Sequence, residues 1–398
     1  MKATIANIHG DNYGDFLNAL AAKTFVTEWL SAEVQSVLPA GGVSRWEHLP
    51  DVGPLSGVDG PPQGIYDARE ISYHLLRIPH KCHYAADWEA LAAGLQTSDY
   101  LISAPSGANV GPYRDSAFLA PFVTARRTRT ISAILGGTVH PSGSWKYDTL
   151  AQLTLNRTHL SVRDETSAEF LRRTGRQFLG PIDISFAAAR DLGAAISLGD
   201  PRDDYVCVIV GDTLSWHPEA STIEGDALAE SLAFRILTDV SEAATKHGLR
   251  VVVLPNSPLD SEKLRLSRLC EMLDGPTGVE IAHRVRTVED YVRVIAAARL
   301  VVSMRYHGIV TALANAVPVV AISYEPKSSS IMNAAGFTEM LLTHVSYATA
   351  HARKSIDLAL RMDRDKSLEA RERFESEISQ VQLLLATKLR HHAEGHDS

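Results

Sequence analysis

Short apolar runs recur along this 398-residue chain, separated by stretches whose apolar residues repeat at helical spacing. In the first half, Ala3–Ile8, Val34–Leu38, Tyr100–Ser103, Thr130–Leu135 and Thr158–Val162 read as strands bounded by turn residues. A second series runs through Tyr205–Val210, Arg250–Leu254, Val279–Ile281, Leu300–Ser303, Val317–Ile322 and Met340–Leu342. The runs are continuous rather than alternating, as expected for parallel strands covered on both faces. Between them, Leu17, Leu20, Ala21, Phe25 and Trp29 mark one helix, Asp87–Leu95 a short one, and residues 222–247, 260–273, 287–298 and 305–316 four more. Strand and helix alternate throughout, which predicts two Rossmann-like, doubly wound α/β lobes facing a cleft. Residues 1–185 form the first lobe on this reading, 186–362 the second, with a hinge over Gly180–Asp200. In the remainder, 363–398, Phe374, Ile378, Val381, Leu385 and Leu389 trace an amphipathic helix that ends in a polar tail.

The stretch 299–327 carries the sharpest chemistry. Arg305, Tyr306 and His307 follow the strand ending at Ser303 and open a helix striped by Ile309, Ala312, Leu313 and Ala316. In open α/β sheets ligands bind at that edge. At about 100° per residue, His307 lies well over a right angle from the apolar stripe and so should not face the core. Arg305 stands where a helix start disfavours a cation. Two readings fit: an anion held between both residues and the helix terminus, or an arginine paired with a nearby carboxylate beside a solvated histidine. Arg163 repeats the situation after the Thr158–Val162 strand, flanked by Asp164 and Glu165. It too admits a plain reading as a local ion pair, of small value at a surface. Two such arginines in equivalent places on two lobes favour an anion site, with Arg163 on one wall of the cleft and Arg305 and His307 on the other.

The loop His9–Asp15 between the first strand and helix bears Gly10 and Gly14 beside Asn12 and Asp15. Its backbone N–H groups could approach a phosphate or carboxylate. It matches neither GxGxxG nor a P-loop, so neither a dinucleotide nor ATP is indicated, and a tight turn with Asn and Asp caps is the plain alternative. Residues 39–86 are rich in Gly and Pro and then hold His74, His80, Cys82 and His83. Their spacing fits no common metal-ligand pattern, so a long surface loop shaping an acceptor pocket is the preferred reading.

Composition narrows the classes. A formal net charge of -8 argues against a general nucleic-acid binder while leaving room for a local basic pocket. Cys82, Cys207 and Cys270 form no CxxC pair, so neither a disulfide framework nor a zinc site is expected, and a reducing cytoplasm fits. No apolar run reaches the roughly 18 residues of a membrane span, and the first residues lack a signal-peptide h-region. Any membrane contact is expected to be peripheral, at the inner face.

Several segments resemble the polysaccharide pyruvyl transferase family. Ser303-Met304-Arg305-Tyr306-His307, followed by Val317-Pro318 and Tyr324-Glu325-Pro326-Lys327, is similar to its Ser-x-Arg-Leu-His, Gly-Val-Pro and Tyr-Asp-x-Lys segments. Tyr306 stands at the family's leucine, and Glu325 where Asp is common. Ser161-Val162-Arg163-Asp164 is similar to its Ser-x-Arg-Asp motif, Gly10–Asp15 resembles its Gly-Asn-x-Gly-Asp loop, and Pro181 and Asp183 sit where its Pro-Asp motif would fall. The likeness runs in order from about residue 5 to about residue 330.

The resemblance implies a glycosyltransferase-B-like fold and transfer of the enolpyruvyl carbons of phosphoenolpyruvate onto a saccharide or lipid-linked glycan, as a ketal. It further implies an acceptor side on the N-terminal lobe and a donor side on the C-terminal lobe. His307 is then the expected general acid/base, with Arg305 and Arg163 as catalytic donor-binding partners. Asn12, Gly14, Asp15, Ser303 and Lys327 are the expected substrate-binding residues. The scheme requires no metal or organic cofactor. Two alternatives remain on the same scaffold: a nucleotide-sugar-dependent glycosyltransferase, and a non-catalytic saccharide-binding protein.

Overall fold

A computed structural model describes residues 1–8, 12–39, 71–72, 74–75, 85–104, 110–195, 204–211, 223–273, 278–344, 347 and 349–395. Contacts divide the chain into two compact units. The first comprises Met1–Asp11, Asp15–Ser185 and Ser376–Ser398; the second comprises Asn12–Gly14 and Phe186–Glu375.

The first unit is built on five parallel strands: β1 (Lys2–Ile8), β2 (Glu33–Pro39), β3 (Tyr100–Ser103), β4 (Ile131–Gly137) and β5 (His159–Val162). Their order is β2-β1-β3-β4-β5, the flavodoxin-like winding, which reverses direction between β1 and β3. Its core gathers Leu101, Phe118, Phe122, Ile134, Leu160 and Val162 from strands and flanking helices. At the reversal Asn7 takes a left-handed φ of 57°, a conformation Asn tolerates better than most residues. The β1–β2 register slips between Ala6 and Ile8 around it, a bulge. The Asn7 side chain donates to the Ser103 hydroxyl at 3.1 Å, tying the ends of β1 and β3.

Six parallel strands form the second sheet: β6 (Tyr205–Ile209), β7 (Arg250–Val253), β8 (Val279–Ile281), β9 (Leu300–Ser303), β10 (Val319–Ser323) and β11 (Leu341–Thr343). The order β11-β10-β9-β6-β7-β8 is the Rossmann winding, and its reversal falls between β6 and β9. Every residue of β6, β9 and β10 is buried, which explains their unbroken apolar runs. Edge strand β8 instead exposes Glu280, which pairs with Arg250 at 2.5 Å, a polar side chain that suits an unpaired edge. Helix Tyr306–Ala314 sits close on this sheet because Gly308 lies where a Cβ would come within 2.5 Å of the Ser303 hydroxyl.

The strands follow the expected order, with ends shifted by a residue or two. Within the stretch expected to be a hinge, the boundary between the two units falls after Ser185. Helix Ser185–Ala195 occupies most of Gly180–Asp200, and residues 196–200 lie outside the described ones. Asp183 Oδ1 accepts from the Ser185 backbone N–H at 2.8 Å and from its hydroxyl at 2.6 Å, fastening the helix start, and alanines carry it onward. Gly193 is a packing glycine rather than a flexible one, because a Cβ there would overlap the side chain of Asn315. That amide donates to the Thr311 carbonyl at 2.9 Å and to the Ala189 carbonyl at 3.3 Å, joining two helices. The Gly- and Pro-rich stretch assigned to an acceptor loop, at 40–70, lies outside the described residues, as do His80, Cys82 and His83. His74 is described: its ring stacks on Trp88, centroids 4.0 Å apart.

Replacing Gly by Ala inside a helix ordinarily gains about 1 kcal/mol. Gly193→Ala is expected to lower stability instead, by about 1 kcal/mol or more through the displaced Asn315 amide. Urea unfolding checks this. Asn315→Ala in the same chain should recover the helix gain, and a Gly193→Ala protein more stable than the parent would rule out the packing role.

Candidate functional site

In the second unit the carboxyl ends of β6 and β9 lie level, with Ile209 opposite Ser303. Met304 N donates to the Ile209 carbonyl at 2.9 Å just past them. Arg305 follows as the residue capping helix Tyr306–Ala314, with extended backbone angles. The Ser303 hydroxyl organises this exit: it accepts from Arg305 N at 3.0 Å and donates to Arg305 O at 2.8 Å. Arg305 therefore emerges at the topological reversal of the sheet, where open α/β folds bind ligands.

Two glycines shape the surroundings. Gly211, just beyond β6, faces the guanidinium, and a Cβ there would lie 2.5 Å from Arg305 Nε and 2.7 Å from Cζ. Gly14 faces the imidazole, and a Cβ there would overlap His307 Nδ1. Each backbone thus forms a flat wall against a planar side chain. The Gly14 wall is brought in by Tyr13, which is fully buried. Tyr13 N donates to the Asn256 carbonyl at 3.0 Å and its hydroxyl to the Val285 carbonyl at 3.2 Å. Its ring stacks on Tyr291 at 4.9 Å.

Basic side chains crowd two helix starts. His307 is the second residue of helix Tyr306–Ala314, and Lys327 holds the same place in helix Pro326–Ala335 after the neighbouring strand β10. Lys327 Nζ lies 2.6 Å from Glu325 and 5.4 Å from the centre of the Tyr306 ring. The Tyr306 and His307 rings meet edge-on at 5.3 Å. Both helix termini already carry partial positive charge, so the arrangement suits an anion. Glu262 adds an opposing charge. Burial pushes its carboxyl above the usual range, against the pull of Arg305, the Asn256 and Ser257 backbone and Arg265. The carboxylate partner that one reading of Arg305 required is therefore present nearby, but desolvation weakens its charged form.

Arg163 belongs to the first unit, immediately after β5, and is 4% exposed. Its Nε donates to the Thr138 hydroxyl at 2.8 Å, and its NH1 lies 3.6 Å from Asp183 Oδ2. Thr138 donates onward to Asp164 at 3.3 Å. Asp164 Oδ1 caps helix Glu165–Arg173 by accepting from Ser167 N at 2.8 Å, and His140 Nε2 approaches the same oxygen at 3.0 Å. Burial acts to raise the Asp164 carboxyl. The hydrogen bond and charge of His140, the Ser167 N–H and the Arg163 charge outweigh it and hold the carboxyl below its ordinary value. The local contact foreseen for Arg163 is thus a buried network running through Thr138, rather than a surface pair with Asp164 or Glu165.

Of the residues singled out in the sequence, Gly14, Ser303, Arg305, His307 and Lys327 gather in the second unit, with Asn12 counted there as well. Ser303 spends its hydroxyl on the turn. Asp15 lies in the first turn of helix Tyr13–Thr24 and, like Arg163, is counted with the first unit. Pattern reading missed Gly211, Tyr13, Tyr291 and Glu262. A glycine ending the first strand of a lobe was the available signal for Gly211. Glu262 sits in an ordinary helical pattern and offered none.

The chain is a protein of two parallel-sheet α/β units with the glycosyltransferase-B-like fold. It belongs to the polysaccharide pyruvyl transferase family, whose model matches residues 46–326. That span includes Arg163, Ser303, Arg305 and His307, and it leaves out Asn12, Gly14, Asp15 and Lys327. The family places the chain among transferases acting on polysaccharide. No curated protein matches it. Among solved structures, it is similar to a putative UDP-N-acetylglucosamine 2-epimerase from Listeria monocytogenes (TM-score 0.59, 12% identity, covering 100% of this chain and 97% of that one). It is likewise similar to UDP-GlcNAc 2-epimerase from Neisseria meningitidis bound to UDP-GlcNAc (TM-score 0.54, 10% identity, 100% of both chains). The glycotransferase of kitacinnamycin is a third (TM-score 0.53, 10% identity, 98% of both chains). At such identities these likenesses establish the fold alone. No helix among the described residues is long and apolar enough to cross a membrane.

The Asp164 network makes a pH prediction. A folded pKa below the unfolded value of about 3.9 stabilises the protein fully above that value, and the benefit disappears as pH falls through the folded pKa. Asp164→Ala should cost about 3–5 kcal/mol at pH 7 by leaving buried partners unmatched. In urea unfolding the difference from the parent should narrow below about pH 4. A gap that stays constant through that range would contradict the assignment.

Proposed function

We propose that the protein transfers the enolpyruvyl carbons of phosphoenolpyruvate to a saccharide or lipid-linked glycan, forming a pyruvate ketal. The observation that carries this reading is the grouping of Arg305, His307 and Lys327 at two adjacent helix starts in a member of the pyruvyl transferase family. The donor brings a carboxylate and a phosphate. Arg305 supplies a planar guanidinium suited to bidentate binding, and Lys327 a compact charge for the phosphate. Arg163 is assigned to the donor anion by its place in the Arg-Asp motif. Gly14 and Gly211 support the roles of His307 and Arg305 by limiting where imidazole and guanidinium can go. Asn12 and Asp15 are assigned to substrate as neighbours of Gly14, and Ser303 as the residue that shapes the Arg305 turn.

The chemistry proceeds by protonation of the donor's methylene carbon, which leaves a cation-like centre at C2. A sugar hydroxyl attacks that carbon and gives up its proton, the bond from C2 to the phosphate oxygen breaks and phosphate departs, and a second hydroxyl adds to C2 with loss of its own proton, closing the ketal. Imidazole exchanges protons near neutrality and suits both the first and the last transfer. The N-terminal unit is assigned to the acceptor and the C-terminal unit to the donor.

The structural neighbours motivate the competing reading. One is bound to UDP-GlcNAc, and a nucleotide-sugar-dependent glycosyltransferase can use the same fold. Incubation with phosphoenolpyruvate and candidate glycans should release phosphate and yield a product carrying a pyruvyl ketal by mass spectrometry. His307→Ala is expected to lower kcat by about 10²–10⁴-fold with the melting temperature little changed. Full activity in that variant would remove His307 from the mechanism, and turnover with a UDP-sugar but none with phosphoenolpyruvate would favour the other reading.

A further inference from the structure

A groove of about 550 Å³ opens in the N-terminal unit where the chain enters β5, within the range of about 300–1,000 Å³ typical of small-molecule sites. It lies at the amino ends of the strands, the edge opposite Arg163. Leu160, Leu179 and Leu385 give it apolar surface. Its polar side chains come from three separate stretches of chain. Arg157 and His159 enter from the start of β5, Arg176 from the segment after helix Glu165–Arg173, and Lys388 and His392 from the end of helix Arg364–Ala393. None of the described residues lining it is acidic, although the chain as a whole carries a formal net charge of -8.

Arg176 is held in place by neutral partners. Arg176 donates to the Asn156 side-chain oxygen at 2.9 Å and to the Leu155 carbonyl, both neutral acceptors. Burial pulls its guanidinium below the ordinary value, and a bound anion would relieve that penalty. His159 Nε2 and His392 Nδ1 face each other at 3.2 Å. Burial, then the charge of Arg157, lowers the Arg126 guanidinium as well. Beside the groove, Leu383 and Leu384 are 52% and 51% exposed, and Leu384 precedes Lys388 by one helical turn, so the two share a face.

We propose that this groove binds a phosphoryl group, of the kind carried by a soluble phosphate ester or by a lipid head group. Cations converging from three stretches match a group with several charged oxygens better than a single carboxylate. The site uses none of the residues assigned to the donor, so it stands or falls independently of that assignment.

The test uses the full chain. Calorimetric titration with inorganic pyrophosphate and sedimentation with phosphatidylglycerol or phosphatidylcholine vesicles would be compared between the parent and Arg157→Glu/Lys388→Glu, whose altered residues are both exposed. The parent should bind pyrophosphate, or sediment with phosphatidylglycerol but not phosphatidylcholine, and the double variant should weaken that binding by about tenfold or more, a change of about 1.4 kcal/mol. Pyrophosphate binding without sedimentation identifies a soluble ligand, and selective sedimentation a lipid phosphate. The milder Arg157→Ala/Lys388→Ala should weaken binding in the same direction if the charge reversal unfolds the chain. The proposal is overturned if neither probe binds, or if a folded double variant binds as the parent does.

Discussion

The close approach of two glycine backbones to two charged or titratable side chains is the constraint around which the second unit's site is built. Gly211 leaves room for the Arg305 guanidinium and Gly14 for the His307 imidazole. Both contacts depend on topology. The Rossmann winding brings the ends of β6 and β9 level at its reversal, and there Gly211, two residues past β6, meets Arg305, two residues past β9. Buried Tyr13, stacked on Tyr291, brings Gly14 to the same unit.

That constraint also explains the electrostatics. A helix start that already carries partial positive charge receives Arg305 and His307, and its neighbour receives Lys327. Glu325 lies 2.6 Å from Lys327, and burial draws Glu262 toward its neutral form. Such a grouping at two helix starts suits an anion. The N-terminal unit treats its arginine differently. Arg163 is buried and bonded through Thr138 to an Asp164 that also caps a helix, so its local environment is already organised.

Much of the frame was legible because parallel strands buried on both faces leave unbroken apolar runs, as in Leu300–Ser303. Arg305 and His307 stood out as polar residues between such a run and a helical stripe. Less was legible where tertiary contact decides. Nothing in the spacing around Gly193 signals that it is small because Asn315 packs against it. Helix Ser116–Thr128 carries Pro121 in its interior, which masks it from a reading by helix breakers. Glu262 feels the charge of Arg305 from a separate helix, and no spacing along the chain signals that.

Binding of phosphoenolpyruvate around Arg305, as proposed, can be read from a melting-temperature titration of the full chain with that donor and with UDP-GlcNAc in parallel. A ligand at a hundred times its Kd stabilises the folded state by about 2.7 kcal/mol. The expected result is a concentration-dependent rise with phosphoenolpyruvate that Arg305→Ala abolishes, and none with UDP-GlcNAc. A rise with UDP-GlcNAc alone, or a phosphoenolpyruvate shift that survives in Arg305→Ala, would contradict it.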